Sequence, residues 1–336
     1  MRTLAMPVFP SGWRVAALGV VVASAAGVAR AQFDGARLYW PLPQNSNAVA
    51  LRSMMGTANA TWSNWSTIEP SAAIDSDLWV LSYMRVQPVF GRTAYWQAML
   101  PYGSVETSSP LPGAPTGDYS DGIADPTLAA TVNVFGKPGM PAREFARFDQ
   151  DLSVDLGLAV SIPVGTYDAG DPLNLGSNQW KVRFAAPIVQ AIGPWVPGER
   201  TTIEVMPFAS IFGDNDGHLG NRISQDPLFG VEAHLTRDLT RESFLSLDYT
   251  WLDGGDQRFT DLGTGLTVRE PGGFETQTLG LTAGFRINDN LQLTISHMQT
   301  ISGSSGGLDL DGSLTMITLS WGWHDVLQRV RDFRDQ

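Results

Sequence analysis

The chain of 336 residues has no cysteine and only two lysines, Lys137 and Lys181. Without thiols there can be no disulfide scaffold, no cysteine nucleophile, no cysteine zinc site and no iron–sulfur cluster. Basic residues are few: 22 stand against 34 acidic ones, a formal net charge of −12. That balance lacks the basic footprint a nucleic-acid binder needs to meet phosphates. Charge of both signs makes up 17% of residues, below the roughly 25% of an average soluble domain. After Ala31 there is no apolar run long enough for a transmembrane helix. The histidines are four, His218, His234, His297 and His324. They fall on a loop, two strands and the tail, with no HExxH or other ligand spacing, so no metal site is expected. There is no GxSxG and no phosphate-cradling glycine loop. Ser296 and His297 are neighbours in sequence and would point to opposite faces of a strand, which excludes them as a catalytic pair. Neither an enzyme nor a cofactor is expected.

What is present indicates a folded, exported chain. Apolar residues reach 43% and tryptophans number 11, too much apolar surface for a disordered polypeptide. Arg2 and Arg14 accompany the apolar or small run Val15–Ala29, and Ala29-Arg30-Ala31 is the small-x-small pattern a signal peptidase reads. The run is shorter than the ~20 residues of a spanning helix. Residues 1–31 therefore read as a cleaved signal peptide, with Gln32 opening the mature chain. A cysteine-free sequence suits passage through an oxidising periplasm.

The mature chain alternates at period two. Leu152, Val154, Leu156, Leu158, Val160 and Ile162 interleave with Ser153, Asp155, Gly157, Ala159 and Ser161. Trp180, Val182, Phe184, Ala186 and Ile188 interleave with Lys181, Arg183 and Ala185. Such stretches place an apolar face and a polar or small face on one strand. Similar segments predict about twelve strands, near 47–56, 76–90, 93–105, 123–135, 151–164, 178–190, 200–213, 227–237, 243–253, 275–287, 291–302 and 313–323. Short turns at Phe90-Gly91-Arg92, Asp238-Leu239-Thr240 and Asn288-Asp289-Asn290 alternate with long loops at 57–75, 106–122, 165–177, 214–226 and 254–274.

An even strand number, strands of ten or more residues and this short–long asymmetry predict an all-β fold. It is an antiparallel transmembrane β-barrel with short periplasmic turns and long extracellular loops. A soluble β-sandwich is the alternative, but faces of Gly, Ser, Thr and Ala would fill a sandwich core poorly. Aromatics also gather at strand ends, as membrane girdles do: Tyr39 and Trp40, Trp79 and Tyr83, Tyr95 and Trp96, Tyr249 and Trp251, Trp321 and Trp323. The barrel is expected to occupy residues 32–323 as one domain. Met140–Gln150 reads as a short helix on the turn side and residues 324–336 as a periplasmic helical tail.

If the apolar faces meet lipid, the opposite parity lines the lumen. That places Arg85, Asp155, Lys181, Arg183, Glu204, Glu232, His234, Asp248 and Arg286 inside. Charges in a confined lumen must pair to offset desolvation, so these residues read either as structural ion pairs or as a polar conduit or gate. About twelve strands lies between filled eight-stranded barrels and open sixteen-stranded porins, which points to a selective or partly plugged channel. Aspartates in the loops (Asp118, Asp121, Asp125, Asp214, Asp216, Asp253, Asp256, Asp309 and Asp311) predict an acidic rim, either solvated or holding divalent cations.

Several strings carry a resemblance: Gly35-Ala36-Arg37-Leu38-Tyr39-Trp40-Pro41-Leu42-Pro43, Phe90-Gly91-Arg92-Thr93-Ala94 followed by Leu100-Pro101-Tyr102-Gly103, Gly122-Ile123-Ala124-Asp125-Pro126-Thr127-Leu128, Pro163-Val164-Gly165-Thr166-Tyr167, and Tyr249-Thr250-Trp251-Leu252-Asp253-Gly254-Gly255. In this order and spacing, over roughly residues 35–323, the sequence resembles the bacterial family named after the meta-cleavage pathway of phenol degradation. The resemblance implies an outer-membrane barrel that aids uptake of aromatic compounds. The expected function is thus passive passage of small, hydrophobic or aromatic permeants through the bacterial outer membrane. The expected partners are outer-membrane lipids, a small-molecule permeant and the barrel-assembly machinery during biogenesis. A structural or adhesive surface barrel acting through its loops is the alternative.

Overall fold

The computed structural model describes residues 34–59, 74–107, 119–171, 173–270, 274–305 and 308–325. The expected leader (1–31) and the tail beyond Asp325 lie outside them. Twelve strands form the body. They are β1 (Ser46–Ala58), β2 (Ile74–Val89), β3 (Arg92–Thr107), β4 (Thr127–Phe135), β5 (Leu152–Ser161), β6 (Lys181–Ala185 and Ile188–Ile192), β7 (Thr201–Phe212), β8 (Leu228–Asp238), β9 (Ser243–Gly254), β10 (Phe274–Arg286), β11 (Leu291–Ser305) and β12 (Gly312–His324). Each pairs antiparallel with its sequence neighbours. The sheet then closes on itself, with β12 lying along β1 so that Ser46 faces His324 and Ala58 faces Gly312. Closure removes every edge and satisfies the backbone N–H and C=O groups within the wall, which is what hydrocarbon demands.

The alternation foreseen in the sequence sets the two faces. Leu81, Leu100, Leu128, Leu156, Phe184, Leu247, Leu281 and Leu319 stand exposed on the outside. In a membrane they meet lipid chains, and the opposite parity is buried in the lumen. Near the turn end the outer face carries Tyr83, Trp96, Trp321 and Trp323, with Trp323 stacked within 6.2 Å of Trp321 and 6.4 Å of Tyr83. Three of the expected girdle residues are elsewhere. Tyr39, Trp40 and Tyr95 lie inside the barrel, and Trp40 and Tyr95 are fully buried.

Three features depart from a plain barrel. First, β6 is interrupted at Ala186-Pro187, opposite Pro207 of β7. Two imino acids lacking an N–H meet there, and the wall is bridged by Asp155 N–H to Pro187 O (2.8 Å) and Ala186 N–H to Pro207 O (2.9 Å). Second, the loops build their own four-stranded sheet from Asn215–His218, Asn221–Gln225, Gln257–Asp261 and Thr267–Glu270. Third, the β4–β5 connection at the turn end contains a one-turn helix, α1 (Ala142–Phe145), shorter than the sequence suggests. Among the described residues no helix is long and apolar enough to cross a membrane.

Candidate functional site

The inner wall has two kinds of surface. On one side, β1, β2, β3, β11 and β12 bring together Met54, Leu78, Val80, Met99, Met298, Leu314 and Met316. Leu175, from the loop before β6, folds into the same cluster. Methionine is unbranched and polarizable, so such a wall adapts its shape to what touches it. On the other side, β5 to β10 present carboxylates, hydroxyls and bases. There His234 lies between Glu232 (Nε2 to Oε1, 2.9 Å) and Asp248 (Nδ1 to Oδ1, 2.7 Å). Asp248 also accepts from Ser246 and Thr282, each at 2.5 Å, and Thr282 lies 2.8 Å from Ser296. Both ring nitrogens of His234 can donate at once only as imidazolium, which places one positive charge between two carboxylates.

Between these walls runs the segment preceding β1. Residues 34–45 enter the lumen and are held there by the polar wall. Glu232 accepts the backbone N–H groups of Asp34 (3.0 Å) and Gly35 (2.8 Å). Glu204 accepts Arg37 N–H and Trp40 Nε1–H, both at 2.8 Å. The Arg37 guanidinium donates to Asp238 (2.6 Å) and Thr236 (3.1 Å), and lies 4.1 Å over Trp40 and 3.9 Å over Phe244. Asp34 is clamped by Arg183 through two bonds of 3.2 Å and accepts from the Tyr39 hydroxyl. Lys137, from the β4–β5 connection, reaches up to the Tyr39 carbonyl (2.7 Å) and pairs with Asp155. On the apolar side, Leu42 packs with Ala48, Ala50, Met84, Val86 and Tyr95, and the Tyr95 hydroxyl donates to Trp40 O (2.9 Å).

The backbone of this plug is bent to make those contacts. Gly35 has φ 97° and Arg37 φ 68°. A non-glycine residue in the left-handed region costs on the order of 1 kcal/mol or more unless its surroundings hold it. At Arg37 the backbone N–H, the guanidinium and the ring stack are all fixed by the wall.

The expected lumen residues divide as follows. Asp155, Lys181, Arg183, Glu204, Glu232, His234 and Asp248 lie on the inner face, and all but Lys181 are almost fully buried. Arg286 has inward parity at the turn-end mouth, where its guanidinium meets the Arg241 carbonyl. Arg85 does not line the lumen. It shares the parity of the outward Trp79, Leu81 and Tyr83, and binds Asn47 (3.0 Å) and Asp325 (3.3 Å) at the turn-end rim. Asp34, Arg37 and Lys137 lie outside the alternating strands, so inner-face alternation does not reveal them, whereas Arg52 and Asp238 share the inner parity of β1 and β8 and join them in the lumen. Arg37 was visible only within the family string around Leu38-Tyr39-Trp40.

Some of the loop aspartates are spent on structure, and Asp118 lies outside the described residues. Asp125 is buried and accepts Gly165 N–H (2.9 Å), Ser177 N–H (2.8 Å) and Ser177 Oγ (2.5 Å), while Asp216 pairs with Arg222. No group of three or more His, Asp or Glu able to hold a metal occurs among the described residues. Ser296 is buried in the lumen, whereas His297 is exposed and its Nδ1 lies 3.0 Å from Thr315 Oγ1. What remains is a lumen filled by a segment of the chain, with a methionine-rich apolar wall facing a charged one.

No protein of curated function matches the sequence. Among solved structures, the chain is similar to the COG4313 outer membrane channel from Pseudomonas putida F1, with a TM-score of 0.68 and 19% identity over 84% of this chain and 97% of that one. Two others score lower. The β domain of the Bordetella autotransporter BrkA has a TM-score of 0.46 at 9% identity, over 83% of this chain and 100% of that one. The Pseudomonas putida toluene transporter TodX has a TM-score of 0.40 at 10% identity, over 84% and 90%. At these identities the likeness to the first is one of fold, a twelve-stranded outer-membrane barrel. The sequence profile of one family matches residues 57–307, most of the barrel, and the chain therefore belongs to the family described as "Putative MetA-pathway of phenol degradation".

Proposed function

We propose that the protein is a passive outer-membrane channel for small, apolar or aromatic molecules, and that residues 34–45 are its gate. The observation that carries this reading is the plug itself. A lumen made only for stability could be filled by wall side chains, as in smaller barrels. Here a separate segment does the filling and is held mainly by polar bonds that can be exchanged for water. The methionine wall behind it suits permeants of varied apolar shape. Family membership supports the aromatic preference. The proposed passage is passive, down the gradient of the permeant. The reading places the loop end outside the cell, the turn end in the periplasm and the exposed leucines in lipid.

Purified protein in planar bilayers tests this reading. The wild type should show small, intermittent conductance, and deletion of residues 34–45 should give a larger and steadier one. A barrel that stays impermeable after the deletion sinks it. The second reading, a surface barrel acting through its loops, is favoured by the loop sheet. Leu262, Leu266 and Val268 in and beside it are more than half exposed. Loss of a surface phenotype on removing 257–270, with permeability unchanged, would select it.

A further inference from the structure

Above the plug, on the loop side, lies a cavity of about 60 Å³. Its wall is largely apolar, with Leu38, Tyr95, Met99 and Ala129 among the lining residues. Its charged and amide lining residues are Lys181, Gln97, Arg183 and Asp34, beside the hydroxyls of Thr127, Thr131 and Ser161. The Asp34 carboxylate is taken by the two Nη groups of Arg183 and by the Tyr39 hydroxyl. The buried Gln97 Nε2 and Arg183 Nε find no acceptor. Lys181 has no ion pair among the described residues, and its nearest recorded companion is the Phe212 ring, 5.9 Å away. The neighbouring acid, Asp125, already accepts three bonds from Gly165 and Ser177.

Elsewhere in the lumen, lysines and arginines face a carboxylate or a hydroxyl oxygen. Lys137 has Asp155, Arg37 has Asp238, and Arg52 reaches Thr318 Oγ1 (3.1 Å). An unpaired ammonium and an orphaned amide donor on one cavity are costly in a low-dielectric lumen unless an acceptor visits. The turn-end mouth repeats the bias, with Arg37, Arg200, Arg241 and Arg286 set against Asp238 and Glu242.

We propose that this cavity is a permeant-binding site for small organic carboxylates with an apolar body, the carboxylate received by Lys181 and Gln97. The inference rests on the channel reading and narrows its substrate class to acids of this type. An apolar cavity that holds benzene measures about 150 Å³. A ring-sized body therefore enters only as Leu38 and Tyr39 of the plug withdraw, which ties recognition of the acid to opening.

The test compares benzoate, its neutral isostere benzamide, and acetate on the full mature chain. Binding is followed by calorimetry in detergent and passage by bilayer current. Wild type should bind benzoate at least tenfold more tightly than benzamide or acetate. Lys181→Met should abolish the preference over benzamide, Lys181→Arg should retain it, and Gln97→Leu should weaken it. Heat-modifiable mobility on gels checks that each variant is a closed barrel, and Lys181→Gln serves if Lys181→Met fails to fold. Equal binding of benzoate and benzamide, or a preference that survives Lys181→Met, overturns the proposal. Benzoate binding no tighter than acetate overturns the apolar-body part. Conductance without benzoate preference refutes this site and leaves the channel reading standing. Benzoate preference without any conductance does the reverse.

Discussion

Replacing Glu204 by alanine removes one anchor of the plug and nothing from the outer wall. The Glu204 carboxylate is almost fully buried and accepts the Arg37 backbone N–H and the Trp40 indole N–H, both at 2.8 Å. Without it two donors are left in the lumen, and an unsatisfied buried donor costs about 1–3 kcal/mol. Undocking exposes those donors to water and relieves the penalty, so the docked state loses about 2–6 kcal/mol relative to the undocked one. Water entering the vacated space lowers the figure, and the lower end corresponds to roughly a thirtyfold shift, at 1.4 kcal/mol per decade. Glu204→Gln keeps one acceptor oxygen and loses the charge assistance, about 1 kcal/mol, or roughly fivefold. Single-channel recording reads the ratio directly. Open probability should rise in the order wild type, Glu204→Gln, Glu204→Ala, with the open-state conductance unchanged. An identical open probability in all three, on barrels of normal heat-modifiability, would refute the gate.

Further outcomes follow from the same geometry. Gly35→Ala forces a side chain onto φ 97°, costing about 1 kcal/mol or more, and should raise open probability several-fold while the melting behaviour of the barrel stays put. Lys137→Met leaves Asp155 buried without its partner. It should destabilise the barrel by about 3–5 kcal/mol, seen as a lowered gel-shift temperature, with Lys137→Met/Asp155→Leu recovering most of the loss. Leu281→Arg puts a guanidinium on the exposed outer face of β10 and should cost about 2–4 kcal/mol in a bilayer. Its folded fraction on titration with urea in lipid vesicles should fall, whereas Thr294→Ser on the inner face of β11 should leave it unchanged.

The wall was legible in the sequence because lipid and lumen impose opposite chemistry on alternate residues. On β5, β9 and β10 that contrast is strong, and each strand is where the alternation puts it. On β2 it fails, since Leu78, Val80, Met84 and Val86 face inward while Trp79, Leu81 and Tyr83 face outward. With both faces apolar, parity cannot be assigned from hydrophobicity, and Arg85 was placed on the wrong side for that reason. The plug was not legible at all. Residues 34–45 have no period, and Tyr39 and Trp40 look like girdle aromatics until their partners on β7 and β8 are known. Lys137 was hidden similarly, in a connection whose chemistry appears only when it folds back beneath β5.

The bonds that hold the plug also set an order of events. Asp34 is joined to Glu232 across 198 residues and Arg37 to Asp238 across 201, yet the segment itself is covalently attached to β1. Contacts so distant along the chain carry a large loop-closure entropy, though the β1–β12 seam that shuts the wall, Ser46 to His324, spans still more. Their acceptors do not exist until β7 and β8 have been laid into the sheet, whereas each wall strand needs only its neighbour. The plug is therefore free to dock once β7 and β8 are in place, before β12 reaches β1. Weakening the anchors leaves the wall intact and loosens only the segment that fills it, so that what settles early in assembly is also what comes free first.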